Sequence, residues 1–255
     1  AANGRRSLGD LPGALKSVRA AFDGWYARDL STARLRAFAR AQLDAKVSPA
    51  TVNKRLGLVR RILRLAYRDG RLPSVPVTPM LHVENARTGF VEPADFDALL
   101  AALPDYLQPP TWFAYLTAWR RGEVLGLTWS RLTFDADGGG SIRLDSAQSK
   151  NSSGRVLPFA AGSPLALLLA EQQQHRRLDC PYVFHHNGQP IRDFYDAWRT
   201  ACATVGQPAL LFHDLRRSGV RNMVRAGVPE RVCMARSGHK TRSMLDRYNI
   251  VSEAD

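Results

Sequence analysis

The sequence predicts a mostly α-helical protein with a small antiparallel β-sheet, an α+β fold divided into two modules. Apolar residues recur at helical spacing through most of the first 70 residues. Three prolines then follow at intervals that no helix could span. Beyond them, further helical stretches enclose residues 127–158, where short apolar runs alternate with glycine-containing turns.

The first module is predicted to contain three helices. Apolar spacing marks residues 11–22 and 30–43, and either Ser31 or Thr32 could cap the second of these helices. The third helix is expected to begin after Ser48 and to end at Asp69-Gly70. Its apolar stripe consists of Val52, Leu56, Val59, Leu63, Ala66 and Tyr67.

The other face of the third helix is cationic, and no acidic residue between Val52 and Tyr67 offers it an i,i+4 ion pair. The chain has 36 Lys and Arg against 23 Asp and Glu, a formal charge of +13, and residues 1–88 hold 17 of these bases but only 6 of the acids. This asymmetry predicts a module that contacts a phosphate backbone, with a solvated helix face as the alternative. The candidate DNA-binding residues are Lys54, Arg55, Arg60, Arg61 and Arg64.

Pro73, Pro76 and Pro79 predict a linker over residues 73–88, which separates a helical domain at 1–72 from a second domain at 89–255. In the second domain, turns near residues 135–140 and 149–154 are expected to join three short antiparallel strands. Its helices are expected over residues 92–103, 111–125, 164–178 and 191–205.

Residues 211–251 contain the side chains that indicate a catalytic site. Arg216 comes three residues after His213, and Tyr248 comes nine residues after His239. A tyrosine hydroxyl can attack a phosphodiester while cations and hydrogen-bond donors stabilise the developing charge. A helix is expected to start at His213 and to end near Gly227. Its other arginines, Arg217, Arg221 and Arg225, are expected to contact a DNA backbone or to be solvated.

The order His-x-x-Arg, Gly-His and Tyr resembles the catalytic end of the tyrosine recombinases, the phage-integrase family. Upstream, the segment Thr-Ala-Trp-Arg-Arg-Gly-Glu resembles the motif that holds the first catalytic arginine of that family, which places Arg120 and the supporting acid Glu123. Ala118 stands where the family usually has glycine. Lys150 lies in a predicted turn that resembles the family's hairpin lysine, and residues 48–72 resemble its helical core-binding domain, which precedes the catalytic domain.

The resemblance implies a catalytic set of six residues: Arg120, Lys150, His213, Arg216, His239 and Tyr248. Tyr248 is the implied nucleophile, which forms a 3′-phosphotyrosyl bond, and Lys150 is the implied general acid for the leaving 5′ oxygen. The two arginines are expected to stabilise the pentacoordinate phosphorane, while the two histidines donate to its oxygens or orient them. The implied function is site-specific recombination for integration or excision of a mobile element.

The implied partners are double-stranded DNA and further copies of the chain, as a homotetramer in a synaptic complex, with accessory DNA-bending proteins as another class. We expect no cofactor and no metal, because the three cysteines and the histidines at 175, 185 and 186 lack ligand spacing. We also expect no membrane partner, since no apolar run approaches the eighteen or so residues of a span. The expected location is the cytoplasm, at the nucleoid, for a bacterial or phage-encoded protein.

Three alternatives remain open at this point. They are DNA relaxation like that of a type IB topoisomerase, a non-catalytic DNA-binding protein on the same fold, and a helical scaffold whose charge is incidental. Because the sequence begins at Ala1 and not at Met, we expect that an upstream segment has been removed. Fewer residues follow Tyr248 than in many relatives of the family, so this end is either trimmed or the protein assembles differently.

Overall fold

The computed structural model describes residues 11–83, 89–145, 154–246 and 248. The chain divides into two compact units, Ala1–Ala86 and Arg87–Asp255. Each unit has a hydrophobic core of its own. Among the described residues, no helix combines the length and the apolar character that crossing a membrane requires.

The first unit contains the three predicted helices: α1 (Leu11–Phe22), α2 (Thr32–Asp44) and α3 (Pro49–Arg68). Ser31 and Ser48 cap α2 and α3, because their side-chain oxygens accept hydrogen bonds from the backbone N–H three residues later. The predicted stripe of α3 forms the centre of the core, where Val52 and Leu56 are completely buried. Helices α1 and α2 both pack against α3.

The chain after α3 stays attached to the first unit. Leu72 is buried in its core, and Val75 and Leu81 pack against that core. The Asn53 amide of α3 also forms two hydrogen bonds of 2.8 Å with the backbone N–H and C=O of Leu81. These contacts involve residues 75 and 81 of the linker predicted over residues 73–88, whereas its last part, residues 84–88, lies outside the described residues.

The second unit combines helices with a three-stranded antiparallel sheet of strand order β1-β2-β3. The strands are β1 (Leu132–Phe134), β2 (Gly140–Leu144) and β3 (Arg155–Phe159), and a two-stranded hairpin follows with β4 (His185–His186) and β5 (Gln189–Pro190). Ile142 lies opposite both Leu132 and Leu157, and it is fully buried in the large core that the sheet shares with the helices.

The helices of this unit are α4 (Pro93–Ala102), α5 (Gln108–Thr117), α6 (Arg121–Leu125), α7 (Pro164–Gln174), α8 (Tyr195–Thr204), α9 (Asp214–Arg225), α10 (Glu230–Ser237) and α11 (Arg242–Asp246). The predicted fold class, mostly helical with a small antiparallel sheet, is confirmed. Two predicted helices are shorter than expected, since α7 stops at Gln174 and α8 starts at Tyr195.

The single helix predicted over residues 111–125 is wrong. Ala118 ends α5 in the left-handed region, with φ of 55°, and Trp119 and Arg120 separate it from α6. This conformation costs a non-glycine residue about 1–2 kcal/mol. Ala118 is also completely buried against Gly219 of the later helix α9, which leaves little room for a larger side chain. The break has its own stabilisation, because the Glu123 side chain accepts a hydrogen bond from the backbone N–H of Arg120 and so caps α6.

Helix α9 approaches this break very closely. A Cβ atom at Gly219 of α9 would lie 2.6 Å from the Tyr115 carbonyl oxygen and 3.0 Å from the Ala118 Cβ. Glycine is therefore needed at 219 for α5 and α9 to come into backbone contact. This contact brings the first turn of α9 next to the segment between α5 and α6.

Candidate active site

The structure brings together five of the six residues predicted to be catalytic. They come from three places: Arg120 precedes α6, His213 and Arg216 begin α9, and His239 and Tyr248 follow α10 and α11. The Tyr248 hydroxyl oxygen lies 3.0 Å from His213 Nε2, and the Tyr248 ring centroid lies 4.5 Å from that of His239. The Arg216 guanidinium carbon is 5.6 Å from the same tyrosine ring.

The guanidinium of Arg216 is the most deeply buried cation of this cluster, with 1% of the residue exposed. One of its nitrogens, Nη1, donates to the carbonyl oxygens of Ala118 and Ser237, both at 2.6 Å, and Nη2 donates to His239 at 2.8 Å. These partners are all neutral, and Nε has no partner within the described part of the chain. Burial, followed by the charge of Arg120, lowers the pKa of Arg216 to about 10.

The left-handed turn at Ala118 has a direct role in this arrangement. It directs the Ala118 carbonyl at Arg216, while the left-handed Gly238, at φ of 73°, ends α10 and exposes the neighbouring Ser237 carbonyl to the same cation. Helix ends leave backbone carbonyls without intrahelical partners. Two helix ends thus supply the acceptors that hold one arginine.

His239 has a defined tautomer in this structure. A guanidinium can only donate, so His239 Nε2 must accept from Arg216 and the ring proton must sit on Nδ1. That nitrogen donates to the Ser237 hydroxyl at 2.8 Å, and the hydroxyl in turn donates to the Cys233 carbonyl at 2.6 Å. Burial, then the charges of Arg216 and Arg120, lowers the pKa of His239 to about 3, and the ring is therefore neutral at physiological pH.

Acidification is expected to destabilise the second unit through His239. Its folded pKa of about 3 lies below the ordinary histidine value of about 6.5, so between these pH values the unfolded chain binds a proton that the folded chain excludes. The free energy of unfolding should fall by up to about 1.4 kcal/mol for each pH unit in that window. Urea unfolding of the wild type and of His239→Gln at several pH values would measure the slope.

In the His239→Gln variant, the number of protons bound on unfolding in this pH window should fall by about one, and the slope should fall with it. The glutamine amide oxygen can still accept from Arg216 but does not titrate. His175→Gln removes an exposed histidine of the same unit and serves as the matched control. Equal slopes in His239→Gln and in the wild type would contradict the assignment of a buried neutral imidazole.

His213 is the histidine that faces the tyrosine hydroxyl. The protein around its ring displaces part of the water, and the guanidiniums of Arg216 and Arg217 add like charge, so the pKa of His213 is lowered from its ordinary value. A neutral imidazole can accept the Tyr248 hydroxyl hydrogen at Nε2, at a separation of 3.0 Å. The geometry therefore suits the removal of a proton from Tyr248 as that oxygen becomes a nucleophile.

Glu123 connects two arginines at the other side of the cluster. Its carboxylate accepts hydrogen bonds from Arg120 Nη1 at 2.9 Å and from Arg155 Nη2 at 2.6 Å. Burial alone would raise the pKa of Glu123, but the hydrogen bond and charge of Arg155, followed by those of Arg120, outweigh it and lower the pKa below its ordinary value. Sequence reasoning identified Glu123 but missed Arg155, which only its position at the start of a predicted strand could have suggested.

The family of the chain follows from a comparison with known sequences. The sequence model of the phage integrase family matches residues 90–254, which covers more than half of the chain. The chain belongs to the phage integrase family. This match includes the five clustered residues and confirms the family resemblance seen in the sequence.

Individual relatives agree with this membership. The integrase of Salmonella phage P22 is 26% identical over 212 residues, which make up 78% of this chain and 53% of that protein. The tyrosine recombinase XerD of Lacticaseibacillus casei is 24% identical over 235 residues, or 86% of this chain and 78% of that protein. The chain thus spans about half the length of the P22 integrase.

Solved structures of integrases share the fold of this chain. Residues 75–356 of lambda integrase, in a dimer bound to a COC' core site, superpose with a TM-score of 0.79 at 17% identity, covering 98% of this chain and 90% of that one. The Tn1549 transposon integrase in complex with circular intermediate DNA gives 0.75 at 13% identity, with coverage of 98% and 92%.

The remaining predicted site residues lie elsewhere. Lys150 falls within residues 146–153, outside the described residues, so its predicted role stays a prediction. The predicted DNA-binding residues all lie on α3 in the first unit, where Arg60, Arg61 and Arg64 line an open groove of about 390 Å³ together with Gly57, Leu65 and Arg68. Lys54 is exposed, and Arg55 is partly tied down by its hydrogen bond to Gln42 of α2.

Of the two expectations for Arg217 and Arg221, solvation is wrong, whereas contact with a DNA backbone stays a prediction. Arg217 pairs with the buried Asp214 at 3.0 Å, and only 9% of the residue is exposed. Arg221 is 2% exposed, pairs with Glu92 at 2.9 Å and lies over the Phe90 ring. Asp214 lies one helical turn before Arg217, a spacing visible in the sequence, whereas the Glu92 partner of Arg221 lies 129 residues away and could not be predicted from spacing.

The segment that enters the second unit is fixed along α9. Glu92 accepts from Arg225 as well as from Arg221, and the Val91 backbone N–H donates to the Ser218 hydroxyl at 2.8 Å. Residues 90–92 are therefore attached to the helix that carries His213 and Arg216.

The histidines near the β4–β5 hairpin have structural contacts. His185 Nδ1 accepts from the Gly188 backbone N–H, and the His186 ring stacks on Tyr106 at 4.0 Å. In the described ranges of the chain, no three His, Cys, Asp or Glu residues are grouped as a metal site would need.

Proposed function

We propose that this chain is the core-binding and catalytic part of a tyrosine site-specific recombinase that cleaves and rejoins DNA. The observation that carries the proposal is the contact of 3.0 Å between the Tyr248 hydroxyl and His213 Nε2, next to the buried Arg216. A buried cation with only neutral partners favours an anion in the adjacent space, and a phosphodiester supplies that charge.

In the proposed reaction, the Tyr248 oxygen attacks the scissile phosphorus as His213 accepts its proton. A bond forms between the tyrosine oxygen and phosphorus, and the bond between phosphorus and the 5′ oxygen breaks. Arg120 and Arg216 stabilise the pentacoordinate phosphorane, and Lys150 gives a proton to the departing 5′ oxygen. His239 contributes by holding Arg216 in place, since its Nε2 lone pair is already used in that contact.

The 3′-phosphotyrosyl product keeps the bond energy of the phosphodiester. A 5′ hydroxyl of another strand can therefore attack it and release Tyr248 without an external energy source. Exchange between two duplexes needs several active sites, so the proposed assembly is a homotetramer on DNA, with accessory DNA-bending proteins as further partners. The proposed homotetramer is supported by the solved lambda integrase tetramer bound to a Holliday junction, whose fold this chain shares with a TM-score of 0.73.

We further propose that residues 1–72 form a core-type DNA-binding domain, with a linker at 73–88 and a catalytic domain at 89–255. The α3 groove supports this role, because Arg60, Arg61 and Arg64 converge there and the groove lining contains no acidic residue. Such clustered guanidiniums suit contacts to consecutive phosphates.

The double variant Arg60→Gln and Arg64→Gln should weaken binding to a short random-sequence duplex. If each arginine meets one phosphate, the slope of log affinity against log salt should fall by about 1.8, or about 0.9 for each contact. Arg19→Gln with Arg28→Gln removes two exposed arginines of the same unit that lie outside α3 and is the charge-matched control. Identical slopes for the two double variants would argue against a specific role of the α3 groove.

The whole proposal is tested by covalent trapping. The protein is mixed with a pool of nicked genomic DNA fragments in EDTA, denatured with detergent, and the attached DNA is sequenced while the attached peptide is identified by mass spectrometry. We expect DNA attached to the peptide that contains Tyr248, with a shared sequence that reveals the core site. Salt-sensitive binding without attachment would instead indicate a non-catalytic DNA-binding protein, and an absence of binding would overturn both functions.

A further inference from the structure

Glu123 lies between two guanidiniums and is almost fully enclosed, with 4% of its side chain exposed. On one side, it accepts from Arg120 through the backbone N–H at 3.0 Å and through Nη1 at 2.9 Å. On the other side, it accepts from Arg155 Nη2 at 2.6 Å and Nη1 at 3.5 Å. The carboxylate therefore links the start of β3 to the arginine that precedes α6.

Arg155 is itself held on two further sides. Its guanidinium carbon lies 4.8 Å from the centroid of the Trp119 ring, and the indole N–H of Trp119 donates to the Arg236 carbonyl of α10 at 3.2 Å. A Cβ atom at Gly238 would lie 2.5 Å from Arg155 Nη1, so glycine at that position leaves the space that the guanidinium occupies. The contacts come from the segment before α6 and from the C-terminal end of α10.

Burial and charge indicate how Arg155 acts. Only 10% of its side chain is exposed, and its partner is a carboxylate that also binds Arg120. If Arg155 were absent, the buried Glu123 charge would have one cation and would draw on Arg120 alone. The Arg120 guanidinium, which the proposed reaction requires, would then be the only ion-pair partner of the Glu123 carboxylate among these two arginines.

We infer that Arg155 is a positioning residue of this active site, which fixes the Glu123 carboxylate so that the carboxylate holds the Arg120 guanidinium toward the scissile phosphate. The inference rests on the proposed function, in which Arg120 contacts that phosphate. It adds a third arginine to the site, one that acts through Glu123 and not on the DNA.

The test measures adduct formation on the nicked DNA recovered by covalent trapping, at several pH values. Arg155→Met should slow cleavage about 10- to 100-fold at pH 7, within the range of couplings between residues of one ion-pair network, with DNA affinity and its salt slope unchanged. The acidic limb of the pH profile should move to higher pH, because the Glu123 carboxyl loses the cation that most favours its ionised form. Arg155→Lys should restore the acidic limb, though not the full rate, since a single ammonium replaces the fork.

Coupling to Glu123 is measured with Glu123→Gln and with Glu123→Gln combined with Arg155→Met. If Arg155 acts through Glu123, the double variant should cleave no more slowly than Glu123→Gln alone. Arg143→Met, which removes an exposed arginine from the adjacent strand β2, is the control and should cleave like the wild type. Additive losses in the double variant, or a reduced salt slope in Arg155→Met, would overturn the inference in favour of direct DNA contact.

Failure of the proposed function has a different signature, because the wild type would then form no adduct at all. The inference can still be judged from urea unfolding at pH 7. A loss of stability in Arg155→Met that disappears in the Glu123→Gln background would support the coupling of the two side chains. The same loss in both backgrounds would overturn it.

Discussion

Tyr248→Phe is expected to abolish covalent attachment to DNA while it leaves DNA binding within about twofold of the wild type. The substitution removes one oxygen, the atom that lies 3.0 Å from His213 Nε2. The ring remains and can keep its packing against His239 and its position near the guanidiniums of Arg216 and Arg217. Binding and attachment should therefore separate, since only the second needs the hydroxyl.

The measurement compares detergent-resistant adducts with equilibrium binding on the same nicked DNA. Tyr195→Phe is the matched control, because it removes a hydroxyl from a tyrosine on α8 that is 61% exposed. Adducts that persist in Tyr248→Phe, on any peptide, would show that the nucleophile is another residue.

Arg216→Lys is expected to lower the rate of adduct formation by at least about 10²- to 10³-fold. The wild-type guanidinium meets the Ala118 and Ser237 carbonyls and His239 Nε2 at 2.6 to 2.8 Å, a set of acceptors that matches a planar fork. Lysine offers a single ammonium, so it cannot reproduce these contacts and also present a second nitrogen to a phosphate. Each buried carbonyl that it leaves unpaired should cost about 1–3 kcal/mol of unfolding free energy.

Because stability falls as well, cleavage by Arg216→Lys is measured at a temperature where circular dichroism shows the variant folded. Arg231→Lys, at an exposed arginine of α10, is the matched control and should retain the wild-type rate and stability. A rate within about threefold of the wild type in folded Arg216→Lys would remove this arginine from the proposed mechanism.

The sequence predicted the core of α3 and the proximity of His213 and Arg216, because both depend on local spacing. His213 and Arg216 are one helical turn apart, so they lie on the same side of α9 whatever surrounds them. Tyr248 could be added only through the family resemblance, since its contact with His213 joins residues 35 positions apart.

What the sequence could not predict depends on backbone strain and distant partners. The sequence around Ala118 indicated a continuous helix. The left-handed turn at Ala118 is stabilised by tertiary contacts with α9, where Arg216 donates to the Ala118 carbonyl and Gly219 packs against the turn. The role of Arg155 depends in the same way on Glu123, which lies 32 residues earlier in the chain. The sequence does not distinguish an arginine that faces solvent from one, such as Arg221, that forms an ion pair with Glu92.

Residues 90–92 fix the start of the second unit to α9. Phe90 lies under Arg221, and the Val91 backbone N–H donates to Ser218. Glu92 forms ion pairs with Arg221 and Arg225, so all three residues are in contact with the helix. The attachment points on α9 lie about half a turn to two and a half turns beyond Arg216. The start of the second unit and the helix that carries the Arg216 guanidinium are thus joined at three consecutive residues.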